Sequence, residues 1–166
     1  ISEIVEGFGG AGYIEDTGLP ALLRDAQVFS IWEGTTNVLS LDALKILSSD
    51  HTWSALHAAL VALLSQTGSE FDAIATQIRD GYESAYAALH HEHGANRGEA
   101  FARGIAMTLG RCFALAVLLR HAAWSLRAEG DPRPAAAARR FSAHGLICLQ
   151  AGEALDSRIL AIDELE

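Results

Sequence analysis

From Trp53 onward, apolar residues recur at spacings of three and four along most of the chain, a period that leaves room for little besides α-helix. Trp53, Leu56, Leu60 and Leu63 mark a first helix, with Thr52 placed to cap it. Phe71, Ile74, Ile78, Tyr82 and Leu89 mark a second. A third is expected near residues 97–128, apolar nearly all round through Phe101, Ile105, Leu109, Phe113, Leu115 and Leu119, and therefore the most buried. A fourth is expected from Ala135 to about Ile162, through Phe141, Leu146, Leu149, Leu155 and Ile159. Breaks fall at Gln66–Ser69, His93–Asn96 and Gly130–Pro134, where glycine, proline and small polar residues interrupt the period. Short connections between long helices predict antiparallel neighbours. No strand of note and no internal repeat is evident, so the predicted fold class is all-α, a helical bundle.

The first fifty residues are organised differently. Gly9, Gly10 and Gly12 remove side chains where a backbone must turn or approach something closely. No clear strand precedes them, which argues against a dinucleotide-binding strand-turn-helix. Ser2–Phe8 reads as the end of a helix. Leu19–Ala26 reads as a short helix with Pro20 in its first turn, where a missing N–H costs little. Gln27–Gly34 is a connection. Thr35, Thr36 and Asn37 are capping residues before an apolar-periodic run, Val38, Leu41, Leu44 and Leu47. Glu33 is thus expected just outside a helix N-terminus, beside Trp32 and Ile31. A helix N-terminus favours a carboxylate, while burial against an indole and an apolar ligand favours the neutral acid. A group pulled both ways suits general-base work. An acidic residue that merely steadies a helix start fits the same position.

The stretch GGAGYIEDTGLPALLRDAQVFSIWEGTTNVLSLD, Gly9 to Asp42, resembles the carboxy-terminal signature of the acyl-CoA dehydrogenase family. Three parts occur in order: Gly9-Gly10-Ala11-Gly12-Tyr13, Arg24-Asp25-Ala26 and Ile31-Trp32-Glu33-Gly34-Thr35. The resemblance covers roughly residues 1–50. It implies that Glu33 abstracts the α-proton of an acyl-CoA thioester while hydride leaves the β-carbon for FAD. It gives Thr35 and Asn37 flavin-contacting roles, and makes Gly9 and Gly10 the glycines that let backbone approach the cofactor. Arg24 and Asp25 are expected to be structural. Glu6 stands where many members have glutamine, and the turn is Trp-Glu rather than Tyr-Glu. Trp32-Glu33-Gly34, Asn37-Val38 and Leu41-Asp42 resemble the AidB-type, alkylation-response branch, which has a helical extension and has been linked to DNA. The expected organisation is residues 1–50 as the end of the family's helical domain and 51–166 as an antiparallel four-helix extension.

The resemblance further implies a carboxy-terminal portion of a larger flavoprotein, with acyl-CoA as substrate and a homo-oligomeric parent. The chain alone is expected to be inactive and to retain no FAD. Its longest unbroken apolar run is far short of a membrane span, and Arg103, Arg111, Arg120 and Arg127 interrupt the most apolar segment, so no membrane partner is expected. Two cysteines, Cys112 and Cys148, imply no disulfide framework and suit a reducing cytoplasm. His90-His91-Glu92-His93 reads as a solvated helix end rather than a metal site. Gly145 and Gly152 on the fourth helix mark either close packing or lower helix stability. The net charge of −9 gives no electrostatic footprint for nucleic acid over the whole chain. The acid is uneven: residues 1–50 carry two cations against eight acids, the remainder ten arginines against thirteen. Arg133, Arg139 and Arg140 cluster at the start of the fourth helix, where they could touch phosphates or simply solvate a helix face. A DNA-binding or oligomerisation module therefore stands as the alternative to the enzyme reading.

Overall fold

The computed structural model describes residues 1–90 and 95–149. Among them are seven α-helices and no strand: α1 (Ser2–Gly7), α2 (Leu19–Val28), α3 (Thr36–Leu47), α4 (Asp50–Leu64), α5 (Asp72–His90), α6 (Ala95–Ala128) and α7 (Arg133–Ala143). Single 3₁₀ turns occupy Gly9–Gly12, Glu15–Thr17 and Ser69–Phe71. The all-α fold is as the apolar period predicts. The chain divides into two compact units, Ile1–Leu39 and Ser40–Glu166.

The first unit buries almost nothing of its own; Gly12 is its one fully buried residue. A Cβ at Gly12 would overlap the Val5 carbonyl oxygen, so only glycine lets α1 lie against the turn that follows it. Gly9, at φ +56°, turns the chain out of α1. The Thr17 hydroxyl lies 2.7 Å from the Ala11 carbonyl oxygen and 2.8 Å from that of Ile14, and shares one proton between them. Arg24 grips Glu15 through two parallel bonds of 2.9 and 3.0 Å. Both side chains are exposed, so the pair contributes little stability and serves to orient the start of α2.

The second unit holds the core. α6 is central, flanked by α4, α5 and α7. Over Glu99–Ala128 it is long and apolar enough to cross a membrane, by length and composition. Its buried face, however, is the one its neighbours cover, which is the pattern of a core helix. The expectation that it is apolar nearly all round needs correction. Met107, Val117 and Trp124 are exposed, together with Arg103, Arg120 and Arg127. What faces inward is mostly small: Ala102, Thr108, Cys112, Ala116, Ala122 and Ala123 stand beside Ile105, Leu115 and Leu119. Small residues bring helix axes close. At Gly81 of α5, an added Cβ would lie 2.7 Å from Cys112 Sγ.

α4 and α5 run antiparallel. His90, at the end of α5, lies 4.0 Å from Asp50 at the start of α4, and Arg79 lies level with Leu64 and Ser65 at its end. Between these points Trp53 makes edge contacts with Tyr82 and Tyr86, centroids 5.4 and 5.3 Å apart. The Tyr82 hydroxyl donates to the Trp53 carbonyl at 2.8 Å, and the Trp53 indole N–H donates to the Leu47 carbonyl.

The fourth predicted helix is shorter than expected. α7 ends at Ala143, and Gly145, at φ +73°, turns the chain out of helical geometry. Gly145 is therefore a helix stop, neither a packing contact nor a weak point within a helix. Residues 145–149 lie along α6 as a non-helical strap. Arg111 Nε donates to the Gly145 carbonyl at 3.0 Å, and Cys148 N–H donates to Thr108 Oγ1 at 2.9 Å. A Cβ on Gly104 would come within 2.7 Å of the Cys148 carbonyl oxygen. The strap thus descends α6 as its own numbering rises, antiparallel to it. The remainder of the predicted helix, with Leu155, Ile159 and Gly152, and the tract His91-Glu92-His93 lie outside the described residues.

Candidate active site

α2 ends at Val28, and three short bonds wind the chain onward: Ser30 N–H to the Gln27 carbonyl at 3.1 Å, Ile31 N–H to Val28 at 3.0 Å and Trp32 N–H to Val28 at 2.8 Å. Glu33 follows with φ +63°, the one non-glycine residue in left-handed backbone among the described residues. An L-residue there carries a steric cost of about 1–2 kcal/mol. Gly34 then takes φ +131°, which a side chain rarely adopts. Leu39 N–H donates to the Thr35 carbonyl at 3.0 Å, the first bond of α3, so Thr35 is its backbone cap and Asn37 its second helical residue. The Thr-Thr-Asn capping signal therefore marks a real helix start, with Glu33 just outside it.

The turn is open. Ile31 and Trp32 are 63% and 65% exposed, and Glu33 is exposed beside them. Its carboxylate has no hydrogen bond or ion pair to any described residue. The expected burial of Glu33 against Trp32 is not provided by these residues themselves. The Thr35 hydroxyl and the Asn37 amide are also exposed, without partners among the described residues. The turn therefore places an uncommitted carboxylate, a hydroxyl and an amide within five residues of chain, between the end of α2 and the first turn of α3. It does not enclose them.

Gly9 and Gly10 lie elsewhere in the first unit, where the Gly9–Gly12 turn packs with α1 and α2. A Cβ on either would meet nothing within 4 Å. At Gly10 nothing nearby demands glycine, in contrast to Gly12, whereas at Gly9 the backbone itself, at φ +56°, favours it. Glu6 is exposed. No group of three or more histidine, cysteine or acidic side chains gathers as a metal site among the described residues. The residue type at position 33 was legible in the sequence. Its backbone conformation was not, since no local rule places a glutamate at positive φ.

Two family descriptions match the chain: "Acyl-CoA dehydrogenase 11 C-terminal domain-like" over residues 52–161, and "Acyl-CoA dehydrogenase, C-terminal domain" over residues 1–47. The chain is 43% identical over 132 residues to acyl-CoA dehydrogenase family member 11 of Caenorhabditis elegans, a match covering 74% of this chain and 21% of that protein. It is 46% identical over 48 residues to the putative acyl-CoA dehydrogenase AidB of Escherichia coli (strain K12), covering 29% and 9%. It is 33% identical over 89 residues to 3-methylmercaptopropionyl-CoA dehydrogenase of Ruegeria pomeroyi, covering 50% and 15%. No solved structure matches. Similarity is thus not confined to residues 1–50 but runs through the helical bundle, and the chain spans about a fifth of the length of the first of these relatives. With a signature turn at its amino-terminal end and both halves matched, the chain belongs to the acyl-CoA dehydrogenase family and corresponds to its carboxy-terminal helical part.

Proposed function

We propose that the chain supplies the base-bearing edge of an FAD-dependent acyl-CoA dehydrogenase-like active site, with Glu33 as the base. One observation carries this reading: Glu33 is held in costly left-handed backbone with its carboxylate uncommitted. A carboxylate that only steadied a helix start would need no such conformation. The α-proton of an acyl-CoA thioester passes to a Glu33 carboxylate oxygen. The electron pair left on the α-carbon becomes the α,β double bond as hydride departs from the β-carbon. FAD, when bound, supplies the acceptor for that hydride. The exposed and unpartnered Thr35 hydroxyl and Asn37 amide fit such a group, and the open faces of Gly9 and Gly10 let its polar parts reach backbone N–H. Water must be excluded from Glu33 for it to act well, and this chain's contribution to that wall is the exposed pair Ile31 and Trp32.

The test is Glu33→Gln in the full-length protein that carries this segment. Glutamine keeps the shape and the backbone conformation but cannot accept the proton. Flavin content should be unchanged, while anaerobic flavin reduction by acyl-CoA falls ~10²–10⁴-fold. Equal rates for the two proteins would reduce Glu33 to a helix-start residue. Failure of short-, medium- and long-chain acyl-CoA to reduce the flavin with Glu33 intact would sink the dehydrogenase reading. The 166-residue chain alone is expected to purify colourless. Its four candidate contacts contribute about 1 kcal/mol each, too little against the cost of association.

A further inference from the structure

The exposed face of α6 carries a second arrangement that the proposed dehydrogenation does not use. Val117, Arg120, His121, Trp124 and Arg127 recur at helical spacing on one side, and with Gln66, from the turn after α4, they line a concave surface of about 480 Å³. Trp124 is 48% exposed, and the His121 ring stacks beside it, centroids 5.6 Å apart and planes 21° from parallel.

In this chain of net charge −9, Arg24, Lys45 and Arg133 each take a carboxylate partner. The two arginines beside Trp124, Arg120 and Arg127, have no carboxylate partner among the described residues, a state they share with Arg79, Arg103, Arg139 and Arg140. The acids nearest in sequence are already engaged. Glu129 accepts from the Ser125 hydroxyl at 2.9 Å, and Asp131 is held by Arg133 through bonds of 2.7–2.9 Å. The two guanidiniums stand on either side of Trp124 along the helix, Arg120 one turn before it and Arg127 one turn after. Gln66 donates to the Ala62 carbonyl through its Nε2 at 3.0 Å, which leaves its amide oxygen available to accept from a donor in the cavity.

We propose that this surface binds a single nucleotide, its base on Trp124 and its phosphate between Arg120 and Arg127. A planar aromatic ring beside forked, permanently charged donors is the pairing that recognises a π-face and a phosphate together. The cavity volume falls within the roughly 300–1,000 Å³ of small-ligand sites. A long polyanion suits it less well. Two arginines neutralise few phosphates, and the acidic chain around them repels the rest of a strand.

The test uses the 166-residue chain and titration calorimetry with AMP, adenosine, inorganic phosphate and a single-stranded oligothymidine. AMP should bind one to one, more tightly than adenosine or phosphate. Arg120→Gln with Arg127→Gln should weaken AMP at least tenfold. Trp124→Leu should weaken it by about tenfold, the lower part of the range for one stacked base. All three side chains are exposed, so circular dichroism should show unchanged helicity in each variant. Absence of saturable AMP binding at millimolar concentration overturns the proposal. So does AMP binding that is indifferent to both the arginine pair and Trp124. An oligothymidine that binds more tightly per nucleotide than AMP overturns it in favour of a nucleic-acid surface.

Discussion

Three glycines inside helices of the second unit, Gly81, Gly104 and Gly110, allow one chemical change to separate backbone from packing. Gly→Ala in a helix interior gains about 0.8–1.0 kcal/mol from propensity alone. At Gly110 an added Cβ meets nothing within 4 Å, so Gly110→Ala should stabilise by about 1 kcal/mol. At Gly81 the same methyl lands 2.7 Å from Cys112 Sγ, and Cys112 is fully buried, so the sulfur has little room to retreat. Overpacking of that kind costs about 1–3 kcal/mol, which turns the gain into a net loss of up to about 2 kcal/mol. At Gly104 the obstacle is backbone: the Cys148 carbonyl oxygen at 2.7 Å and Leu149 Cα at 3.3 Å. The strap must lift, which strands the buried Thr108 hydroxyl that accepts from Cys148 N–H, at a further cost of about 1–3 kcal/mol. Thermal unfolding followed by far-ultraviolet circular dichroism reads all three, and 1 kcal/mol corresponds to about 2–4 °C at this chain length. The decisive arm is the double variant Gly81→Ala, Cys112→Ala, which should be more stable than the sum of its single changes because the second removes the atom the first strikes. Equal shifts for the three glycines, or strict additivity in the double variant, would refute the packing argument.

The Cys112 thiol predicts an alkaline limit. Burial, aided by the neighbouring Cys148, pushes its pKa up from 9.0 to about 11. The unfolded chain therefore releases this proton first, so stability is full below pH 9 and falls on the order of 2 kcal/mol between pH 9 and 11; Cys112→Ala should remove that slope from a urea titration series. Glu33→Gly should leave the fold as stable or up to about 1 kcal/mol more stable, since relief of left-handed strain outweighs glycine's added chain entropy, while Glu33→Ala should show no such relief. Chemical denaturation that ranks Ala above Gly at this position would contradict the strained turn. Tyr82→Phe deletes the buried hydroxyl bond to the Trp53 carbonyl and should cost about 1 kcal/mol, measured by the same denaturation.

Much of this protein could be read from its residues in order. The three- and four-residue apolar spacing determined the helical class and the approximate spans of α4, α5 and α6, because a helix repeats its buried face locally. Thr35-Thr36-Asn37 marked the start of α3, and the Gly-rich, Arg-Asp-Ala and Trp-Glu-Gly-Thr segments pointed to the family. Three features depended on neighbours distant in sequence. The end of α7 at Ala143 and the strap that begins at Gly145 follow from what α6 presents, Thr108 as an acceptor and Gly104 as clearance; the apolar residues Leu146 and Leu149 keep a helical period without being helical there. The buried face of α6 sets alanine, cysteine, threonine and serine among Ile105, Leu115 and Leu119, and which small residues lie inward was decided by close helix approach, which selects for size. The left-handed backbone at Glu33, and the lack of a partner for Arg120 and Arg127 among the described residues beside an open Trp124, were likewise settled only in three dimensions. Local sequence sets which conformations are cheap, whereas the decision to hold a costly one, or to leave a charge without a partner, belongs to the packed structure around it.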